Sequence, residues 1–163
     1  MKHALLILLT MTSQLLSAAE PSKPEFHYTT FIAKPAAEVW SAITEKKTIN
    51  QYYLAPIHTL ELKKGGAISY GVDREFITGT ISTIEAPVKL IHTFNFVGSD
   101  APETLVEYRI EPIGDSMCSL TISHTGFQAG DQTFADITGG WPVIASSLKT
   151  ILETGKPLPW PER

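Results

Sequence analysis

The sequence predicts an α+β fold: a curved antiparallel sheet of about seven strands, with two short helices after its first strand and a long C-terminal helix over the sheet. Three patterns support this prediction. Between residues 57 and 125, short segments alternate apolar and polar side chains and are joined by short turns, as in an antiparallel meander. Residues 117–124 alternate without interruption. Apolar residues between 141 and 152 recur every three or four positions, which indicates one face of a helix.

The first nineteen residues have the pattern of a signal peptide. Lys2 supplies a positive charge, residues 4–9 are apolar throughout, and residues 17–19 are small, as a cleavage site requires. The apolar run is shorter than the ~20 residues of a membrane-spanning helix, so we expect no stable membrane anchor. We therefore expect an exported protein, in a bacterial periplasm or secreted, with residues 1–19 removed. Residues 20–25 contain two prolines and are expected to form a flexible lead-in.

The following segments fit one strand, two short helices and six further strands. Residues 26–33 alternate and are rich in β-branched and aromatic side chains, which predicts a strand. Pro35 suits the start of a helix, and Val39 and Ile43 follow at helical spacing. A second short helix is predicted over 45–53. The further strands are predicted at 57–62, 67–72, 75–85, 88–97, 103–112 and 116–125.

The sequence predicts a break near the start of the C-terminal helix. Pro142 has no backbone N–H, and inside a helix its ring would clash with the carbonyl group of Thr138. Two glycines directly precede Trp141. We therefore expect a short helical turn at 134–137, a break at the glycines, and a main helix that starts at Trp141 with Pro142 in its first turn.

Residues 156–163 form a Pro-rich tail after Gly155, a residue suited to ending a helix. Two interpretations of this tail remain open. It is either a polyproline ligand for the groove of a partner, or a segment that folds back and packs Trp160 against the sheet edge or the pocket rim. The sequence leaves the identity of any protein partner unknown.

Eight short segments carry a family resemblance. They lie at 39–44, 79–81, 84–87, 90–94, 120–127, 140–141, 148–149 and 152–153. In order and spacing they resemble the helix-grip fold of the SRPBCC, or START-like, superfamily. Within it the chain is similar to homologues of the activator of the ninety-kilodalton heat-shock chaperone's ATPase. The resemblance covers 26–155, which we interpret as one domain, and it implies a fold that can enclose a pocket.

Polar-tipped residues on apolar strand faces suggest where a ligand would bind. His92, Tyr108 and His124 each lie on a predicted face that is otherwise apolar, and Tyr70 and Val72 share a third such face. Small-molecule sites combine apolar walls with a few convergent polar groups, but buried residues that bond to a neighbour give the same pattern. The candidate pocket residues are Trp40, Tyr70, His92, Phe94, Tyr108, His124, Trp141, Ile144 and Leu148.

Other classes of site find no support in the sequence. The histidines lack a closely spaced third ligand and no CxxC pattern occurs, so we predict no metal and no cofactor. No G-x-S-x-G motif occurs, and Cys118, the only cysteine, fits a small buried residue, so no catalytic residue is assigned. The chain has net charge −4 and no basic stripe, which argues against nucleic acid as a partner.

Three functions remain open from the sequence. The first is an exported, non-enzymatic protein that binds a small apolar or amphipathic ligand. The second, which the resemblance also allows, is an enzyme of the polyketide-cyclase type that uses His92, Tyr108 and His124 as acid–base groups. The third is a protein-interaction module without chaperone-activating activity, because export would separate it from a cytosolic chaperone.

Overall fold

A computed structural model describes residues 23–159, so the expected signal peptide, the start of the lead-in and the end of the tail lie outside the described residues. Within this range the predicted α+β helix-grip fold is confirmed, with one antiparallel sheet and three helices. The elements are β1 (Phe26–Ile32), α1 (Ala36–Thr44), α2 (Lys46–Tyr52), β2 (Ile57–Leu60), β3 (Ala67–Tyr70), β4 (Ile77–Glu85), β5 (Lys89–Phe96), β6 (Thr104–Ile113), β7 (Met117–Thr125) and α3 (Gln132–Thr154).

The seven strands pair in the order β1-β7-β6-β5-β4-β3-β2, and every neighbouring pair is antiparallel. Strands β2 to β7 are neighbours in sequence order because short turns join them. Gly98 and Gly114 take positive φ in two of these turns, a conformation that glycine adopts without strain. Bulges in the β2–β3 and β4–β5 pairings bend the sheet, so it curves around the helices.

One face of the sheet forms the floor of the core. Alternate side chains along each strand point to this face, so Leu90, His92 and Phe94 are buried along β5, and Tyr108 and Ile110 along β6. The helices add their own buried residues to the same core, which therefore lies between sheet and helices. The period-2 alternation predicted these inward faces correctly.

Strand β3 is shorter than the sequence predicts. It ends at Tyr70, because Gly71 begins a tight turn in which a Cβ would come within 1.8 Å of the Arg74 carbonyl oxygen. Val72 lies beyond this turn and is 75% exposed. The prediction that Val72 shares an inward face with Tyr70 is therefore wrong.

The predicted break in the C-terminal helix is also wrong, since α3 continues through Pro142. Ile137 and Trp141 before the proline and Ile144 after it are all buried on one side of the helix. This burial stabilises a single helical axis. Tertiary packing thus outweighs the hydrogen bond that Pro142 cannot donate and the poor helix propensity of the glycines.

Side-chain hydrogen bonds fix both ends of α3. The Asp131 carboxylate accepts a hydrogen bond from a first-turn N–H and caps the helix. Near the other end, Glu153 accepts from the Ala33 N–H, and the Lys149 ammonium donates to the Phe31 carbonyl oxygen. These bonds attach the C-terminal half of α3 to the end of β1 and to the residue that follows it.

Candidate functional site

A cleft of about 310 Å³ lies between α3 and the sheet, near the start of β4 and the end of β5. Three of the predicted pocket residues, Phe94, Trp141 and Ile144, line it. Most of its wall is aromatic or aliphatic, and Asp136 is the one carboxylate in that wall. The full lining is Tyr53, Leu54, Ala55, Phe76, Ile77, Phe94, Phe96, Asp136, Ile137, Gly140, Trp141 and Ile144.

Helix α3 supplies one wall of the cleft. Ile137, Trp141 and Ile144 are spaced i, i+4 and i+7, so they share the face that looks onto the sheet. Gly140 lies among them without a side chain, and a Cβ there would lie 3.6 Å from Leu54 Cδ1. The bare backbone of Gly140 leaves space in the cleft that a larger side chain would occupy.

The opposite wall is aromatic and reaches the surface. Phe94 and Phe96 project from the same side of β5 with ring centroids 5.2 Å apart, and Phe76 packs on Phe96 at 5.0 Å. Leu54 and Phe76 form the outer part of the cleft, which we call its mouth, and they are 54% and 52% exposed. The mouth thus presents two large apolar side chains to water.

Most of the other predicted pocket residues lie behind the cleft wall. The buried ones are Tyr70, His92, Tyr108, His124 and Leu148. The Trp141 ring lies between the cleft and this group, with its centroid 6.0 Å from that of Tyr108 and 5.8 Å from that of His124. Trp40 lies on α1, partly buried against the core and outside the lining of the cleft.

A buried chain of hydrogen bonds connects α3 to the sheet through His124. Trp141 Nε1–H donates to His124 Nδ1 at 3.1 Å, so Nδ1 carries no proton. In the neutral ring the proton is on Nε2, which donates to Thr104 Oγ1 at 2.7 Å, and Thr104 donates to the Phe94 carbonyl oxygen at 3.1 Å. Burial, and secondly repulsion from His92, lowers the pKa of His124 to about 3. His124 is therefore a neutral structural link at pH 7.

His92 has a free hydrogen-bond acceptor inside the core. Its Nδ1–H donates to the Thr93 carbonyl oxygen at 2.6 Å, which leaves a lone pair on Nε2. Among the described residues, no group bonds to this buried Nε2. Burial lowers the pKa of His92 to about 4, although the bond to Thr93 acts in the opposite direction. The neutral imidazole of His92 therefore stacks on the ring of Tyr108, with the two ring centroids 6.1 Å apart.

Four tyrosines form a cluster that reaches the cleft at Tyr53 and His92 at Tyr108. Tyr53 lines the cleft, stacks on Tyr70 at 4.4 Å and meets Tyr52 edge-on at 6.3 Å. Tyr53 and Tyr108 both meet the Trp141 ring edge-on, with centroid distances of 6.2 Å and 6.0 Å. Burial raises the pKa of all four phenols, and repulsion between neighbouring tyrosines raises it further for Tyr52, Tyr53 and Tyr108. All four therefore stay protonated and uncharged at pH 7.

Sequence reasoning missed the mouth of the cleft. Leu54 and Ala55 follow α2, in a segment where no periodicity applies, and Phe76 precedes the first residue of β4. One signal was available for Leu54, a large apolar residue between the predicted second helix and the next strand, where a connection is expected to be polar. Such residues on a surface often mark a binding site.

Two other kinds of feature are absent from the described residues. Within 23–159, no three His, Cys, Asp or Glu side chains come close enough to hold a metal ion. None of the helices in this range is both long and apolar enough to cross a membrane.

A family model described as "Activator of Hsp90 ATPase homolog 1-like protein" matches residues 33–153, well over half of the chain. The chain belongs to this family. The match confirms the family predicted from the sequence. No match to the sequence was found among curated proteins.

Solved structures share the family fold at low sequence identity. CalU16 from Micromonospora echinospora is 24% identical with a TM-score of 0.68, over 83% of this chain and 77% of that one. DynU16, from the dynemicin biosynthetic locus, is 22% identical with a TM-score of 0.71, and the match covers 84% of this chain but 49% of DynU16. An HSP90 activator from Plasmodium falciparum is 18% identical with a TM-score of 0.69, over 79% and 96% of the two chains. At these identities the similarity shows the fold alone.

We expect the protein to lose stability in mild acid, because His92 and His124 are buried in their neutral form. In the folded protein the pKa of His92 is about 4 and the pKa of His124 is about 3, whereas the pKa of an unfolded histidine is near 6.5. Between these values the unfolded chain binds more protons, so stability is complete above about pH 6.5 and falls as the pH drops toward 4. The measurement is urea unfolding at about pH 7 and about pH 4.5. Between these two pH values, the free energy of unfolding of His92→Phe should fall by about 2 kcal/mol less than that of the unmodified protein.

The matched control for this measurement is His58→Phe, which changes an exposed histidine. Comparing the two variants separates the loss of a buried histidine from the loss of an exposed one. An identical loss of stability in all three proteins would show that His92 is not held neutral by burial.

Proposed function

We propose that this chain is an exported protein that binds a small apolar or amphipathic molecule in the cleft beneath α3. One observation carries the proposal: a cleft of about 310 Å³ with apolar walls is open to solvent between Leu54 and Phe76. Small-molecule sites are concave, mostly apolar and roughly 300–1,000 Å³ in volume. The cleft lies at the lower end of this range, which favours a compact ligand.

The mouth of the cleft supports a ligand with both apolar and polar parts. Leu54 and Phe76 expose apolar area that a ligand would cover, and burying such area contributes about 25 cal/mol per Å². Asp136 lies at the same cleft, and its Oδ1 accepts a hydrogen bond from Gln132 Nε2 at 3.0 Å. Its carboxylate offers a polar group to the outer end of an amphipathic ligand.

An enzyme of the polyketide-cyclase type is the second candidate function. The free Nε2 of neutral His92 favours it, because a general base needs an unprotonated nitrogen at pH 7. Binding is preferred as the function, since His92 lies behind the cleft wall and not in its lining. Incubation with a candidate ligand separates the two, because a binding protein returns the ligand unchanged and an enzyme converts it.

Filling the cleft should weaken the binding of an apolar probe. N-phenyl-1-naphthylamine, a neutral fluorescent molecule, should bind the unmodified protein saturably at one site. Gly140→Leu places a side chain in the cleft next to Leu54, so the probe should bind at least about tenfold more weakly. The measurement is a fluorescence titration at pH 7.

Gly139→Leu is the matched control for this variant, because the two glycines are adjacent in α3 and a Cβ at Gly139 meets nothing within 4 Å. Both changes replace glycine by leucine in the same helix, so their effects on helix propensity are equal. Gly139→Leu should bind the probe as the unmodified protein does. Equal binding by both variants would place the probe outside the cleft.

Export is the part of the proposal that rests on the sequence pattern at residues 1–19. N-terminal sequencing of the native protein should give a chain that starts at Glu20, recovered from outside the cytoplasm. A variant that lacks residues 2–19 should stay in the cytoplasm. An intact chain from Met1 in the cytosolic fraction would contradict export. The chain would then share a compartment with the cytosolic chaperone.

A further inference from the structure

The free acceptor on His92 is a polar atom that the core itself does not satisfy. The residue is 1% exposed, and among the described residues nothing bonds to its Nε2. Buried polar atoms almost always have a partner, because leaving one without a hydrogen bond destabilises the fold. The other core histidine differs, since Trp141 and Thr104 bond to both nitrogens of His124. His92 therefore offers a vacant acceptor that His124 does not.

The orientation of the His92 ring directs this acceptor away from its own strand. Nδ1, the nitrogen nearer the backbone, bonds to the Thr93 carbonyl oxygen, so Nε2 lies at the far end of the ring. The neighbours of His92 across the sheet are Ile81 on β4 and Val106 on β6, which have no polar side-chain atom. Tyr108 stacks on the ring face at 6.1 Å. The residues beside the ring on the sheet floor are therefore apolar or aromatic.

Tyr53 connects the cleft to this buried group. It lines the cleft and packs edge-on against the Trp141 ring, as does Tyr108, which in turn stacks on His92. Tyr53 is the first residue after α2 and has an extended backbone, so it belongs to the connection to β2 and not to the helix. Its side chain is partly exposed. Tyr53 is therefore the cleft-lining residue that links the cleft, through the Trp141 and Tyr108 rings, to His92.

We propose that the ligand is an uncharged apolar molecule whose inner end carries a hydroxyl or N–H group, and that this group donates to His92 Nε2 once Tyr53 turns aside. This inference rests on the proposed binding function and specifies the class of ligand. The pKa values of His92 and of the four tyrosines keep the inner group neutral at pH 7. A carboxylate or ammonium head would lose its water there without gaining an opposite charge.

Three probes with the same ring system test this class. They are 2-naphthol, which donates a hydrogen bond, 2-methoxynaphthalene, which does not, and 2-naphthoate, which is anionic. In competition with N-phenyl-1-naphthylamine, 2-naphthol should bind the unmodified protein about fivefold to tenfold more tightly than 2-methoxynaphthalene. The anion 2-naphthoate should bind most weakly.

Variants of His92 identify the acceptor. His92→Phe removes it and should abolish the preference for 2-naphthol, whereas His92→Gln keeps an acceptor oxygen and should retain part of the preference. Binding of 2-naphthol and 2-methoxynaphthalene is compared on the unmodified protein and on His92→Phe. This double comparison separates the hydrogen bond between probe and His92 from the difference in probe size. If the preference persists in folded His92→Phe, the acceptor lies elsewhere and the inference is wrong.

A measurement on the unmodified protein keeps the test independent of variant folding. The ¹⁵N resonance of His92 Nε2 should move when 2-naphthol is added and stay in place with 2-methoxynaphthalene. Equal binding of the two probes, or a resonance that neither moves, contradicts the inference while leaving the cleft as a binding site. Failure of all three probes and of N-phenyl-1-naphthylamine to bind contradicts the proposed function as well.

Discussion

The position of Trp141 is the constraint on which the cleft depends. Its indole is buried between α3 and the sheet and donates to His124, which bonds through Thr104 to the backbone of Phe94. This series crosses β7, β6 and β5, so it holds the helix and the sheet at one separation. The residues at its two ends, Trp141 and Phe94, both line the cleft. A set of buried polar contacts thus fixes the distance between two apolar walls.

The interior behind these walls is polar but uncharged. Burial lowers the pKa of His92 and His124 and raises that of the tyrosines around Tyr108, so each group takes its neutral form at pH 7. His124 meets its hydrogen bonds within the fold and serves to position Trp141. His92 Nε2, in contrast, has no hydrogen-bond partner within residues 23–159. A ligand that reached this interior would be selected by shape and by hydrogen bonding and not by charge.

The strand pattern could be predicted because the buried face of a strand follows from its two-residue period. That period alone placed His92 and His124 inside. Prediction failed where distant contacts decide the outcome. Pro142 remains within α3 because buried residues on both sides hold the helix to the core. Leu54 and Phe76 line the same cleft only because the fold brings the residue after α2 and the residue before β4 to it, and no local sequence pattern predicts this.

Native mass spectrometry of the protein isolated from its own host tests the central claim, that the cleft under α3 holds a small molecule. Gentle ionisation should show the mature chain carrying one additional small-molecule mass, which is lost on collisional activation. The same preparation of Gly140→Leu, with the cleft filled, should show the bare chain, and Gly139→Leu should retain the added mass. The bare chain in all three preparations, together with no binding of N-phenyl-1-naphthylamine, would contradict the account.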